Sequence, residues 1–141
     1  MLHREIPLSK ALGVNVREAG DLTVLAAPLG PNTNHKSSAF GGSLYSLAVL
    51  AGWAWIWVRM KRQGVGGHIV VAGSEMEYLS AVRGEFRALC EGCAEEDWER
   101  AVRMQEKKGK ARVTLEVVVE AGGERGAVFV GDYALIREEA S

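Results

Sequence analysis

The sequence has 141 residues, 48% of them hydrophobic, and a formal net charge of −1. This length suits a single domain, residues 1–141, with a buried core. Because 17 basic residues are balanced by 18 acidic ones, no excess of positive charge is present to bind a phosphate backbone, and we expect no nucleic-acid partner. The first ten residues contain no continuous apolar run typical of a secretory signal, so we expect a cytoplasmic protein.

The first third of the chain predicts two short strands, a loop and then a long helix. The strands are Val14 to Val16 and Leu22 to Ala26, around a turn at 19–21. A polar loop containing two prolines follows. The long helix is predicted from Phe40 to Arg62, and the glycines of 64–67 end it.

The apolar stretch at the start of this helix has two interpretations. Residues 40–58 carry no charge and are followed by Arg59, Lys61 and Arg62, which passes a simple test for a membrane span. However, the run opens with two glycines, and the predicted strands around it are amphipathic. A helix that is apolar on all sides also suits burial inside a sheet, so we expect no membrane association.

The second half of the chain predicts four strands and one short amphipathic helix. Hairpin connections between neighbours favour an antiparallel sheet, and one long apolar helix requires that sheet to curl around it. We therefore predict an α+β fold with about six strands. The four strands are His68 to Val82, Glu85 to Cys90, Arg112 to Glu120 and Ala127 to Arg137, and the helix is Glu95 to Gln105.

Two predicted strands carry apolar residues on both faces, at residues 117–119 and 128–130. Strands of this kind are usually covered on both faces. We therefore expect self-association into a homo-oligomer, either a dimer or a tetramer, since symmetric assemblies of identical chains are the commonest form.

The cysteines form a single C-x-x-C pair, Cys90 and Cys93. A structural zinc site needs four ligands, and the three histidines show no matching spacing. We expect no metal and no cofactor, with one thiol buried at a strand end and the other in a loop.

The chemically informative stretch is the loop that leads into the long helix, where Asn34 precedes Phe40-Gly41-Gly42. The first amides of a helix have no internal acceptor and lie at the positive end of its dipole. Glycines allow close approach of a substrate, so a carbonyl oxygen could be polarised there. The alternative is a purely structural role, in which the glycines allow close packing and Asn34 forms a turn.

These residues resemble the signature of hotdog-fold thioesterases, in which an asparagine loop leads to His-Gly-Gly at the start of the central helix. Here Phe40-Gly41-Gly42 follows Asn34 by six residues, and the segment 74–82 is similar to the family's strand that ends in Tyr-Leu-x-Pro-Val. The sequence of this segment is most similar to that of thioesterases that also occur as the C-terminal domain of some bacterial acetyltransferases. The resemblance implies a hotdog fold and hydrolysis of an acyl thioester carried by coenzyme A or acyl carrier protein.

The chemistry of the helix start, taken together with the resemblance, suggests roles for these residues. Gly42 N–H, together with Asn34, would hold the thioester carbonyl oxygen while water attacks, with His35 as the candidate base. Six further residues are expected to contact substrate: Phe40, Gly41, Ser43, Ser46, Ser74 and Tyr78.

The sequence departs from the family at the catalytic carboxylate. Many relatives carry Asp or Glu nine residues after the histidine that Phe40 replaces, and this chain has Val49 there. Candidate replacements are His35, whose imidazole exchanges protons near neutral pH, and Glu75 or Glu77, which lie on the strand face opposite Ser74. Ala81 also replaces the family's proline.

Two other functions remain open from the sequence. A non-catalytic module that binds acyl thioesters would keep the helix-start site and need no base. A hotdog hydratase or dehydratase would need a paired acid and base, and no such Asp and His pair is evident. Trp53, Trp55 and Trp57 could line an acyl tunnel, although large aromatics in a buried helix are usually core residues.

Overall fold

The computed structural model describes residues 2–138, which form one sheet, four α-helices and a short 3₁₀ helix at Gly30–Asn32. The helices are α1 (Leu2–Glu5), α2 (Leu8–Ala11), α3 (Gly41–Gln63) and α4 (Glu95–Lys108). The strands are β1 (Asn15–Glu18), β2 (Thr23–Ala27), β3 (His68–Tyr78), β4 (Phe86–Cys90), β5 (Lys110–Ala121) and β6 (Glu124–Ile136).

The six strands form a single sheet in the order β1-β2-β4-β5-β6-β3, and every neighbouring pair is antiparallel. Strand β3 lies at one edge beside β6, and β1 lies at the other edge. Helix α3 packs against five of the strands, so the sheet wraps around it. The predicted α+β hotdog architecture is confirmed.

Helix α3 is buried because its apolar side chains occupy several sides of the helix. Leu44, Leu47, Leu50 and Ile56 are all at most 5% exposed. The helix is long and apolar enough to cross a membrane, yet 56% of its most apolar 18-residue window is buried inside the protein. Gly64, with φ of 67°, ends the helix in the left-handed conformation that glycine adopts without strain.

The predicted element boundaries differ from the structure by three or four residues in β3, α4 and β6, which begins at Glu124 instead of Ala127, and by one or two residues elsewhere. Strand β3 ends at Tyr78 instead of Val82, because the next two amides both donate to the Gly126 carbonyl and leave the ladder. Helix α4 continues three residues past Gln105 to Lys108. The one-turn helices α1 and α2 were not predicted, since four residues give too short a pattern to recognise.

Helix α4 is fixed to the end of α3 by aromatic and charged contacts. The rings of Trp98 and Trp55 meet edge to face at 5.7 Å, and Trp98 Nε1 donates to Gln63 Oε1 at 2.8 Å. Arg59 stacks over the Trp55 ring and pairs with Glu95 at the start of α4. These contacts join the carboxyl-terminal half of α3 to the start of α4.

The two cysteines are placed as predicted, one at a strand end and one in a loop. Cys90 ends β4 and is fully buried, and burial raises the pKa of its thiol to about 12. Cys93 lies in the following loop and is half-buried. Within residues 2–138, no group of three or more His, Cys, Asp and Glu side chains is placed to hold a metal.

Gly52 marks the closest approach between α3 and the sheet. A Cβ atom at this position would lie 2.3 Å from the Tyr133 hydroxyl oxygen. That hydroxyl is buried and donates to the Val49 carbonyl at 2.7 Å, in the middle of the helix. Gly52 therefore lets β6 and α3 share a hydrogen bond inside the core.

We predict that Gly52→Ala lowers the free energy of unfolding by about 1–3 kcal/mol, because the added methyl displaces Tyr133 from a well-packed core. Urea unfolding measures the change. Gly84→Ala is the matched control, since a Cβ there meets no atom within 4 Å. If the Gly52 variant is as stable as the parent, Tyr133 moves away from the added methyl at no cost in free energy, and the prediction is wrong.

Candidate functional site at the start of the central helix

Two backbone amides at the start of α3 lack acceptors. The Phe40 carbonyl accepts the N–H groups of Ser43 at 2.9 Å and Leu44 at 3.2 Å. Among the described residues, the N–H groups of Gly41 and Gly42 donate to none. Because they also lie at the positive end of a 23-residue helix, they form a site for an electron-rich oxygen.

Two exposed aromatic rings flank these amides. Phe40 is 57% exposed and its ring lies against Gly42, where an added Cβ would be 2.4 Å from Phe40 Cε2. Tyr78, on β3, is 53% exposed and its hydroxyl donates to the Gly41 carbonyl at 2.9 Å. The structure thus brings together four of the residues expected in the site and gives the amides an apolar rim.

The loop before α3 is anchored at both sides by main-chain hydrogen bonds. Ala39 N–H donates to the Val82 carbonyl and Phe40 N–H donates to the Asn32 carbonyl, each at 2.7 Å. Asn32 is buried, and its Nδ2 donates to the carbonyls of Leu12 and Pro28, each at 2.8 Å. The sequence analysis did not predict this anchor. The signal that could have revealed it is the presence of a second asparagine, two residues before Asn34.

The Asn34 side chain folds back onto its own loop. Its Oδ1 accepts from the N–H groups of Lys36 at 2.8 Å and Ser38 at 3.2 Å, and its Nδ2 donates to Ser38 Oγ at 3.0 Å. An amide nitrogen carries two hydrogens, so one donor of Asn34 is left for a ligand. Asn34 therefore shapes the loop in this structure, as the turn interpretation expected.

The serine side chains expected in the site are differently placed. Ser43 is buried. Ser46 Oγ donates back to the Gly42 carbonyl at 2.8 Å, one turn earlier in the helix. Ser74, on β3, shares a short hydrogen bond with Tyr45 Oη. Tyr45 was missed by the sequence analysis, although its position one turn after Gly41 places it on the same helix face.

The candidates for a base are also separated by the structure. His35 is exposed in the Asn34 loop. Ser74 and Tyr78 contact α3, so the alternation of β3 directs Glu75 and Glu77 to the opposite face of the sheet. Val49 is partly buried against the core. No carboxylate occurs anywhere in α3.

The curled sheet, its central helix and the unpaired amides at the helix start define a thioesterase-like protein of the hotdog fold. Residues 1–137 match the model of one family, described as "Putative thioesterase (yiiD_Cterm)". The chain belongs to this family.

Solved structures agree with this assignment. A protein of unknown function from Chlorobaculum tepidum TLS is 33% identical, with a TM-score of 0.91 over 97% of this chain and 90% of that one. A putative thioesterase from Shewanella oneidensis is 29% identical, with a TM-score of 0.84 over 95% and 91%. A probable thioesterase from Pseudomonas aeruginosa, 20% identical, has a TM-score of 0.80 over 97% and 91% and shows the shared fold alone.

We predict that Asn34→Ala speeds hydrogen exchange at the amides of Lys36 and Ser38, because both lose their acceptor. Asn34→Asp should keep exchange slow, since a carboxylate oxygen accepts the same bonds. Amide exchange followed by mass spectrometry or NMR measures both variants. Unchanged exchange in the alanine variant would show that the loop does not depend on this side chain.

Proposed function

We propose that the protein hydrolyses an acyl thioester carried by coenzyme A or acyl carrier protein, in the cytoplasm. The observation that carries the proposal is the pair of unpaired amides of Gly41 and Gly42, which open α3 between two exposed rings. A tetrahedral intermediate places negative charge on the former carbonyl oxygen, and fixed amide donors stabilise that charge without reorganisation.

In this mechanism the thioester oxygen accepts the Gly42 N–H and the remaining donor of Asn34. Water attacks the carbonyl carbon and forms the tetrahedral intermediate. The carbon–sulfur bond then breaks, the acid product keeps the oxygen from water, and the thiolate takes up a proton. The rings of Phe40 and Tyr78 flank the amides and supply apolar surface beside the reacting carbonyl.

We assign the proton-accepting role to His35. It lies in the Asn34 loop, and histidine is the side chain that most often serves as a general base. Glu75 and Glu77 are directed away from the helix start within one protomer, which supports His35 over them. General-base assistance contributes about 10²–10⁴ in rate, so removal of His35 should leave slow residual hydrolysis.

A non-catalytic acyl-thioester binding module is the second candidate, and one observation favours it. The position that would supply a carboxylate on α3 is Val49, and its neighbours on the helix are apolar. Such a module would bind the carbonyl through the same amides and lack turnover.

We also propose that the active protein is a homodimer or tetramer. Strand β3 leaves one edge without a partner within the described chain, and Val70 and Val71 on it are 44% and 38% exposed. A free apolar strand edge pairs readily with another chain. Its closeness to Tyr78 would place the candidate site beside the contact between protomers.

We predict that Gly42→Pro lowers kcat/KM for acyl-CoA by about 10²–10³ relative to Gly42→Ala, the usual effect of removing one oxyanion donor. Both variants add a carbon beside Phe40, and only proline removes the N–H. Proline is tolerated in the first helical turn, so the helix should form. Free-thiol release from acyl-CoA measures the rates.

Equal rates in the two Gly42 variants would show that this amide does not hold the oxyanion. If no acyl-CoA or acyl carrier protein is hydrolysed by the parent while acyl-CoA binds, the binding-module function replaces the proposed one.

We predict an assembly of two or four chains in solution at micromolar concentration, measured by light scattering. Val70→Lys should weaken it, because a lysine on a strand edge opposes edge pairing. Met104→Lys, on helix α4, is the control, because Met104 is 40% exposed. A monodisperse monomer for the parent would contradict the proposal.

A further inference from the structure

Strand β5 has a free edge along the first half of its length. It pairs with β6 over the whole of Lys110–Ala121, but it pairs with β4 only over residues 117–120, because β4 ends at Cys90. Every second residue of 110–116 therefore points its N–H and C=O away from β6 on a side that has no strand. Within residues 2–138, no main-chain hydrogen bond reaches these groups from α4 or from the loop before it.

Helix α4 forms a wall opposite this free edge. The side chains of Asp97, Arg100, Ala101 and Met104 have the spacing of a single helix face. Together with residues 111–114 of β5 they line a cavity of about 350 Å³, a volume within the range of ligand sites. We call this cavity the α4–β5 groove.

The strand wall of the groove has one apolar face and one polar face. Ala111 and Val113 are buried, whereas Arg112 and Thr114, which alternate with them, are exposed. The helix wall adds apolar surface from Met104, which is 40% exposed. A chain lying beside β5 would therefore meet apolar side chains on one of its faces and a cation on the other.

Both walls of the groove come from a cationic part of the chain. Residues 100–112 contain six exposed cations and one anion, although the protein as a whole has a net charge of −1. Arg100 and Arg112 each make one ion pair, with Asp97 at 3.2 Å and Asp132 at 3.4 Å. Since a guanidinium has five N–H donors, each arginine can also bind a carboxylate from another molecule.

We propose that the α4–β5 groove binds an extended acidic segment of a partner protein, which adds to the free edge of β5 as a further strand. Main-chain hydrogen bonds would supply affinity, and alternate side chains would supply specificity. The segment that fits has apolar side chains on the side of Ala111 and Val113 and acidic ones on the side of Arg112.

This inference is independent of thioester hydrolysis. Helix α4 packs at the carboxyl end of α3, where Trp98 donates to Gln63, and the unpaired amides lie at the opposite end of that helix. The groove is therefore separate from the candidate site.

Binding of a designed peptide tests the charge of the groove. The probe is a fluorescein-labelled peptide of seven residues, matching 110–116, in which Glu and Val alternate and Glu stands at both ends. Fluorescence anisotropy should show saturable binding to the parent. The double variant Arg100→Glu, Arg112→Glu should bind about tenfold more weakly, because repulsion replaces attraction at two exposed positions.

The matched control is the double variant Arg87→Glu, Arg125→Glu, which changes the net charge equally at exposed positions outside the groove. Its affinity for the probe should equal that of the parent. Equal weakening in the two double variants would show that the probe responds only to net charge, which would overturn the assignment.

Two N-methylated probes test strand pairing itself. The N–H groups of alternate residues in a strand point to the same edge, so methylation of every Val amide or of every Glu amide removes the donors of one edge. One methylated probe should lose affinity at least about tenfold, and the other should keep it, since several hydrogen bonds are lost in the first alone. Equal affinity of the two methylated probes would overturn strand addition.

Amide hydrogen exchange in the parent protein locates the bound probe without any substitution. A saturating concentration of the probe should slow exchange at alternate amides within 111–115. Protection of the edge strands β1 or β3 in place of β5, or no saturable binding at all, would overturn the proposal. Protection of 111–115 that rises with protein concentration alone would also overturn it, because a second copy of the chain would then occupy the groove.

Discussion

The structure depends on the burial of one helix that is apolar around most of its circumference. Helix α3 cannot place a polar face towards water, so the sheet has to curl around it. Its two ends reach the surface, and along its length Tyr45, Val49, Trp53 and Trp57 are partly exposed. At the carboxyl end Gly64 satisfies the last carbonyls, but at the amino end Phe40 offers no side-chain cap. The amides of Gly41 and Gly42 are left unpaired, and the candidate site follows from that uncapped start.

The residues around the amino end of α3 fix the geometry of the candidate site, but they provide little support for proton transfer. Hydrogen bonds from Ala39 and Phe40 hold the approach to the helix, and the Asn34 side chain holds the loop before it. In the proposed mechanism, oxyanion stabilisation would rest on main-chain donors held in place by these hydrogen bonds, which suits preorganised catalysis. Proton transfer has no comparable support, because Val49 replaces the carboxylate and His35 stands in an exposed loop. We therefore expect slow chemistry whose specificity comes mainly from binding.

The sequence predicts those parts of the molecule that have long, regular patterns. The charge-free run after Phe40 predicted the long helix, and alternation such as that in β5 predicted the sheet. The glycines at 41 and 42 predicted the unpaired amides at the start of the helix. The inward placement of Ser74 and Tyr78 followed from strand alternation. The hydrogen bond from Asn32 to Leu12 and the pairing of Tyr45 with Ser74 depend on contacts between distant segments, which local pattern does not encode.

The most direct test of the account is an NMR titration with an acyl-CoA analogue in which a methylene separates the carbonyl from sulfur, so that hydrolysis is blocked. If the helix start holds the carbonyl oxygen, the amide protons of Gly41 and Gly42 will move downfield more than any others, with the larger change at Gly42. Saturable binding that leaves both amide resonances unmoved would contradict the central claim that these two donors form the thioester site.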